Sequence, residues 1–178
     1  MGRELKPTKD SAAQAELGHA LRMAMRGTGT SVSAVTTAKP DGSWRGATVN
    51  SLVSVSLSPP AILVSLNSAS RIHATVLEVR RFAVNIFALQ HAEIAAAFAD
   101  PMRHDERFTT GPWQAGETGM PVLTDAVASL ECVVDATLPY ATHTIIVGKV
   151  IDVHRDPTAA PLIYHDGRYG DWSAVGKR

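Results

Sequence analysis

Between Ser31 and Asn67 the chain presents three β-rich runs punctuated by turn chemistry, and this succession restricts the fold more than any other feature. SVSAVTTA reads as the first run. Lys39-Pro40-Asp41-Gly42 then carries the residues of a tight turn, and a second run extends from Trp44 to Leu57. Pro59-Pro60 opens the third, AILVSLN, a short apolar run of strand length. Proline removes a ladder donor and therefore marks the start of a buried strand, not its interior. Runs joined this tightly pair antiparallel, because a parallel pair needs a crossover of a dozen residues or more.

The rest of the chain extends the pattern. Residues 1 to 10 are polar and read as a loose tail, and from Ser11 the residues Leu17, Ala20, Leu21, Ala24 and Met25 recur at helical spacing until Gly27 and Gly29. Ile72, Val76 and Val79 share a face of a second helix that Ser68 or Ser70 can cap; Phe82 to Phe87 returns to strand composition, and Ile94, Ala95 and Phe98 belong to a helix ending near Asp100-Pro101. Met102 to Pro121 has neither period and is expected as a long surface loop. Val127 to Ala136 and Thr144 to Val153 read as strands, and Asp166-Gly167 as the turn of a last short hairpin. Six or seven strands following one another through turns, with two or three helices, make an α+β, mainly β architecture and favour an antiparallel barrel over a doubly wound sheet. With no internal repeat or interior linker, residues 1–178 are taken as one domain with its core at about 20–170.

Several function classes drop out. Seventeen basic groups balance seventeen acidic ones without a cationic run, so neither a nucleic acid nor an anionic membrane is an expected partner. No apolar stretch reaches the length of a signal peptide or a membrane span, and Cys132 is the only cysteine, so a cytoplasmic setting is expected. The dinucleotide, P-loop, nucleophile-elbow and zinc-helix motifs are all missing, and the seven histidines show no paired spacing, so no metal is expected. Cys132, between Leu130 and Val134, reads as a small buried hydrophobe.

What remains is a concentration of hydroxyls and amides. Thr48-Val49-Asn50-Ser51 is followed by Ser65-Leu66-Asn67-Ser68-Ala69-Ser70-Arg71 at the end of the third run. The second stretch joins small hydroxyls and free N–H groups at a helix start to an arginine able to fork onto a phosphate. On local chemistry alone plain helix capping is the favoured reading, because serine at a helix start is so common.

The order of these segments resembles the flavin reductase-like family of FMN-binding split barrels, the reductase components of two-component monooxygenases. The likeness runs from about Ala20 to Gly170: the stretch from Ser31 to Arg71, RRFAVNIF, Arg107-Phe108, Gly119 to Leu123, Leu130-Glu131-Cys132, His143 to Val150, Pro161 to Tyr164, and Gly167-Arg168-Tyr169-Gly170. The resemblance implies a six-stranded antiparallel Greek-key split barrel with flanking helices, a homodimer with flavin near its interface, FMN or FAD as cofactor, and NADH or NADPH as co-substrate. It implies that Thr48, Val49, Asn50 and Ser51 hold the flavin ring largely through backbone groups, that Ser65, Leu66 and Asn67 continue the site, and that Ser70 and Arg71 hold the phosphate. His143 matches the family histidine near flavin and nicotinamide, and Tyr169 an aromatic near the ring. Asn85 reads equally well as an amide satisfying backbone at a strand end. Relatives often carry Gly-Asp before the histidine, where this chain has Ala141-Thr142. The function implied is an NAD(P)H-dependent flavin reductase feeding a monooxygenase component. The competing expectations are a non-catalytic flavin carrier and a split-barrel oxidase or oxygenase acting on a small organic substrate.

Overall fold

The computed structural model describes residues 9–173 and 175. In chain order its elements are helix α1 (Lys9–Arg26), strands β1 (Thr30–Ser31), β2 (Ser33–Ala38), β3 (Trp44–Val49), β4 (Val53–Leu57) and β5 (Pro60–Asn67), helix α2 (Arg71–Val79), strand β6 (Arg81–Ile86), helix α3 (Ala92–Ala99), and strands β7 (Trp113–Ala115), β8 (Pro121–Leu123), β9 (Ala128–Tyr140), β10 (His143–Arg155), β11 (Ile163–His165) and β12 (Arg168–Gly170). The tail expected over 1 to 10 lies outside the described residues as far as residue 8, while Lys9 and Asp10 already belong to α1.

Among the described residues the main sheet orders its strands β3-β2-β6-β9-β10-β5-β4, every pairing antiparallel. It holds seven strands where the resemblance implied six, because the run expected as one strand from Trp44 to Leu57 is two. Their separation closes the barrel. β3 and β4 lie at opposite edges of the sheet, about 29 Å apart were it flat, at six spacings of ~4.8 Å. Yet residues 50–52 alone join them, and the path from Val49 to Val53 reaches at most ~14 Å. The sheet must therefore roll until its edges nearly meet. At the seam no ladder joins β3 to β5; the Ser51 hydroxyl accepts the Ser65 N–H at 3.0 Å and donates to the Ser65 carbonyl at 3.3 Å.

One core fills the barrel. Val35, Val64, Phe82, Val84, Cys132 and Ile146 point inward, and α2 plugs the interior with Ile72 and Val76. A second apolar layer lies outside, where Val32, Ala34 and Phe87 meet α3 through Ala95 and Phe98 and meet Leu162 near the β11–β12 hairpin. Because β2 is covered on both faces, its sequence is a continuous run of small and branched residues. The last hairpin turns where expected, with Asp166 at φ 45° and Gly167 at φ 82°, the two positive values of a type I′ turn.

The stretch expected as an unstructured loop contains a single turn of 3₁₀ helix at His104–Glu106 and the small β7–β8 hairpin. Two buried polar side chains hold this hairpin. Glu131 accepts the N–H groups of Glu117 and Thr118, each at 2.8 Å, and the Thr118 hydroxyl. Asn85, fully buried, accepts the Leu123 N–H at 2.8 Å and the Ser129 hydroxyl at 2.8 Å through Oδ1, while Nδ2 donates to Thr36 Oγ1 at 3.0 Å and to the Pro121 carbonyl at 3.3 Å. Asn85 therefore does satisfy backbone, but that of a distant segment.

Cys132 is fully buried, and burial, with the neighbouring Glu131 charge, pushes its thiol up to about 12. The reactive species is the thiolate. The native protein at pH 8 is therefore expected to react with a disulfide reagent only on the timescale of unfolding. A full equivalent of fast labelling without denaturant would contradict the buried placement.

Candidate functional site

The barrel seam opens into a groove, and the residues singled out in the sequence converge on it. The link between β3 and β4, the end of β5 and the start of β10 surround a hollow of about 300 Å³ lined by Thr48, Val49, Asn50, Ser51, Ser65, Leu66, Asn67, Ser70 and His143. They meet through register: Asn67 lies opposite His143 and Ser65 opposite Ile145 in the β5–β10 ladder. Thr48, Val49 and Asn50 also face a hollow of about 270 Å³ shared with Tyr164 and Tyr169, whose rings stand edge to face at 5.6 Å. Burial, followed by the neighbouring Tyr164, holds the Tyr169 phenol above its ordinary value. Arg71 lies along a cleft of about 530 Å³ that shares Thr48, Asn67 and Ser70 with the first hollow. All eleven expected residues thus line three adjoining spaces.

Their side chains do not contribute alike. Val49 and Leu66 are buried in the barrel core, 8% and 2% exposed, so a ligand in the groove meets their backbone only. The Thr48 hydroxyl donates to the Ala95 carbonyl at 2.8 Å and ties β3 to α3. Ser51 is engaged at the seam, as described. Ser70 occupies the N-cap position of α2 but makes no side-chain cap, its hydroxyl donating instead to the Asn67 carbonyl at 2.6 Å. Simple capping therefore does not explain Ser70, and the first N–H groups of α2 lie beside the cleft without a side-chain cap from it.

His143 is exposed and opens β10 after a tight turn, with Nδ1 at 2.9 Å from Thr142 Oγ1. Ala141 there takes φ 49°, the left-handed region that favours glycine. Ala-Thr thus stands at a turn whose backbone would suit glycine. The Thr142 carbonyl accepts the Ser68 N–H at 2.9 Å, which fixes this turn against the end of β5.

Arg107 was not assigned a role from sequence, yet it lines the cleft beside Arg71. Its guanidinium donates to the carbonyls of Gly46, Ala97 and Asp100, the last at 2.9 Å, so the side chain is fixed by backbone from two elements. The grip on Gly46 depends on close packing of β3 against α3, since a Cβ at Gly46 would run into the Phe98 ring. Burial, followed by the Arg71 charge, lowers the Arg107 pKa from its ordinary value. Among the described residues neither arginine forms a salt bridge. Two neighbouring cations, with no carboxylate lining the cleft among the described residues, make the cleft electropositive, a setting suited to an anion. The sequence signal was the pair Arg107-Phe108; its meaning required Gly46, 61 positions away.

The groove therefore joins a pair of tyrosine rings, a rim of backbone, amides and hydroxyls, and a cationic end. That combination fits a planar aromatic ring with a polar edge and an anionic tail.

Comparisons with known proteins agree with this chemistry. The family model described as "Flavin reductase like domain" matches residues 25–173. The reductase component of an FADH2-dependent resorcinol hydroxylase from a Rhizobium species is 33% identical over 161 residues, 90% of this chain and 90% of its own. A flavin reductase (NADH) of Kitasatospora aureofaciens is 39% identical over 80% of this chain and 75% of its own. Among solved structures, the NADH:FAD oxidoreductase of Streptomyces globisporus, in complex with NAD and FAD fragments, superposes with a TM-score of 0.83 at 31% identity, covering 98% of this chain and all of that one.

Proposed function

Because the chain belongs to the family of flavin reductase-like domains, we propose that it reduces flavin in the groove at the barrel seam and hands the reduced flavin to a monooxygenase component. It is an NAD(P)H:flavin oxidoreductase with FMN or FAD as its flavin. The observation that carries the assignment of the site is the convergence of the seam hydroxyls and amides with the unpaired arginines in one groove.

When bound, the two cofactors supply the redox chemistry, a hydride passing from reduced nicotinamide to oxidised flavin. The chain binds and orients. The backbone of Val49, Asn50 and Ser51 and that of Ser65 to Asn67 hold the polar edge of the ring, where donors stabilise the negative charge that arrives with the hydride. Ser70, Arg71 and the start of α2 would hold the phosphate, and Tyr169 would pack against the ring. His143, exposed at the mouth of the ring hollow, orients the nicotinamide. Anaerobic addition of NADH or NADPH tests the reading: flavin absorbance is expected to bleach with at least one donor. A flavin left oxidised by both would make the protein a carrier.

His143→Ala separates positioning from folding. Flavin affinity is expected to stay within about twofold, while anaerobic flavin reduction at low donor concentration slows by roughly one to two powers of ten, the scale of one lost orienting hydrogen bond at ~1.4–3 kcal/mol. Stopped-flow reduction of the flavin-loaded variant measures this. An unchanged rate at every donor concentration would remove His143 from the site.

A homodimer belongs to the same proposal. From Ala12 to Met25 every residue of α1 is exposed, including Leu17, Leu21 and Met25, whereas most helical stability in proteins comes from packing an apolar face. Val53, Val55 and Leu57 on β4 and Leu138, Tyr140, Ile151 and Val153 on β9 and β10 are exposed as well. A second copy would cover these faces, and Tyr140, paired with His143 across its turn, would set the interface beside the flavin. Sedimentation at micromolar concentration is expected to give twice the chain mass, and a monomer would contradict the dimer. No helix among the described residues is long and apolar enough to cross a membrane. A cytoplasmic setting, where reduced nicotinamide is available, completes the proposal.

A further inference from the structure

Both neighbours of His143 in the chain are tied to the segment that carries Arg71. The Thr142 carbonyl accepts the Ser68 N–H at 2.9 Å, and the Thr144 hydroxyl lies 2.8 Å from Nε2 of His73, on the first turn of α2 two residues after Arg71. Neither His73 nor Thr144 lines the groove. They meet on its barrel side, where Thr144 is buried on the face of β10 that also carries Ile146 into the core. Among the described residues the contact with His73 is the only hydrogen bond of the Thr144 hydroxyl. A buried hydroxyl left without a partner is costly, so this bond constrains both elements. Threonine is branched at Cβ and stiff about χ1, which makes its hydroxyl a fixed point on β10, and that hydroxyl can give or take the proton to suit either tautomer of the ring.

α2 packs chiefly on β2, β3 and β6, whereas β10 lies beyond β9 in the sheet order. The His73 bond therefore carries the helix across to β10. Two groups that the reaction needs in register stand on these two elements: Arg71 opens α2 and His143 opens β10. Their separation must be held, since reacting groups are productive only within a narrow range of distance and direction. Resting on the flavin-site reading given above, we infer that His73 is a positioning residue for the reductive step. Through Thr144 it fixes the backbone at the start of β10, and with it the His143 ring, relative to the end of the flavin held by α2. Ser68 supplies the other half of the bracket through backbone alone. His73 supplies the half that a side chain can change.

The test is a double-mutant cycle on the full, flavin-loaded chain, read by stopped flow. Thr144→Val keeps the outline of the side chain and removes the hydroxyl; it is expected to slow anaerobic flavin reduction at low NADH or NADPH by roughly three- to tenfold, the scale of one hydrogen bond, while FMN affinity stays within about twofold. His73→Ala is expected to reproduce that loss, and His73→Gln, whose amide offers a partner of the same kind, to recover most of it. In a His143→Ala background, Thr144→Val is expected to slow reduction by less than about twofold, because the group it positions is gone. Should the valine variant not fold, the same cycle is run with His73→Ala, at the half-buried end of the bond. A merely structural contact would lower the melting temperature and leave the rate alone, or slow reduction by one factor in both backgrounds, and either result overturns the inference. The two readings fail separately. A slow His143→Ala beside wild-type rates in Thr144→Val and His73→Ala strikes out the link alone, whereas a wild-type rate in His143→Ala strikes out the nicotinamide reading on which the link rests.

Discussion

Replacing Asn85 by alanine is expected to destabilise the protein by about 3–5 kcal/mol, without altering flavin affinity in the fraction that remains folded. The carboxamide is fully buried and connects four elements, accepting from Leu123 and Ser129 and donating to Thr36 and Pro121. Its removal leaves the Leu123 N–H without an acceptor, which alone costs about 1–3 kcal/mol, and opens a void among close-packed neighbours. In a chain of this size the loss corresponds to a fall in melting temperature of roughly 6–20 °C. Thermal and urea unfolding measure it. A loss below about 1 kcal/mol would mean that Ser129 and water replace the amide, and that the β7–β8 hairpin does not depend on it.

Arg71→Ala is expected to weaken FMN binding by one to two powers of ten and to leave riboflavin nearly unaffected. The guanidinium is exposed on the first turn of α2, where its removal disturbs no packing, so the effect falls on the phosphate it would meet, a charge-assisted contact worth about 1.5–3 kcal/mol. Riboflavin lacks the phosphate and supplies the control. Arg107→Ala would not be equivalent, since it also removes three bonds to backbone carbonyls and should lower stability as well. Equal losses for FMN and riboflavin in Arg71→Ala would show that the arginine acts through the fold.

The sequence made the fold legible where local chemistry decides structure. Pro40-Asp41-Gly42 and Asp166-Gly167 placed two hairpins, the branched composition of β2 marked a strand, and the apolar run of β5 a buried one. It misled where geometry is imposed from a distance. Nothing between Trp44 and Leu57 breaks β composition, because the interruption at residues 50–52 is required by the closing of the barrel. In β10 the alternation of Ile145, Val147, Ile151 and Val153 marked the strand, yet the buried face is that of Thr144, Ile146 and Gly148; β9 and β10 both run past the expected limits, to Tyr140 and Arg155. Strands β7 and β8, of three residues each, are too short to show a period. The groove itself followed largely from the hydroxyl-rich stretches, whereas Arg107 enters only through tertiary contact.

The link at residues 50–52 joins strands that are neighbours in the chain and farthest apart in the sheet order, so the groove exists only once all the intervening strands are in place. No fragment, half-barrel or partly folded form can present it. With flavin held in this groove as proposed, its capture is expected to be an all-or-none reporter of complete folding: a truncation that removes β9 or β10 should abolish binding even though Thr48 to Ser51 and Ser65 to Arg71 remain in the chain. Cofactor titration consequently counts intact barrels in any preparation, including those in which helical content alone would pass for native.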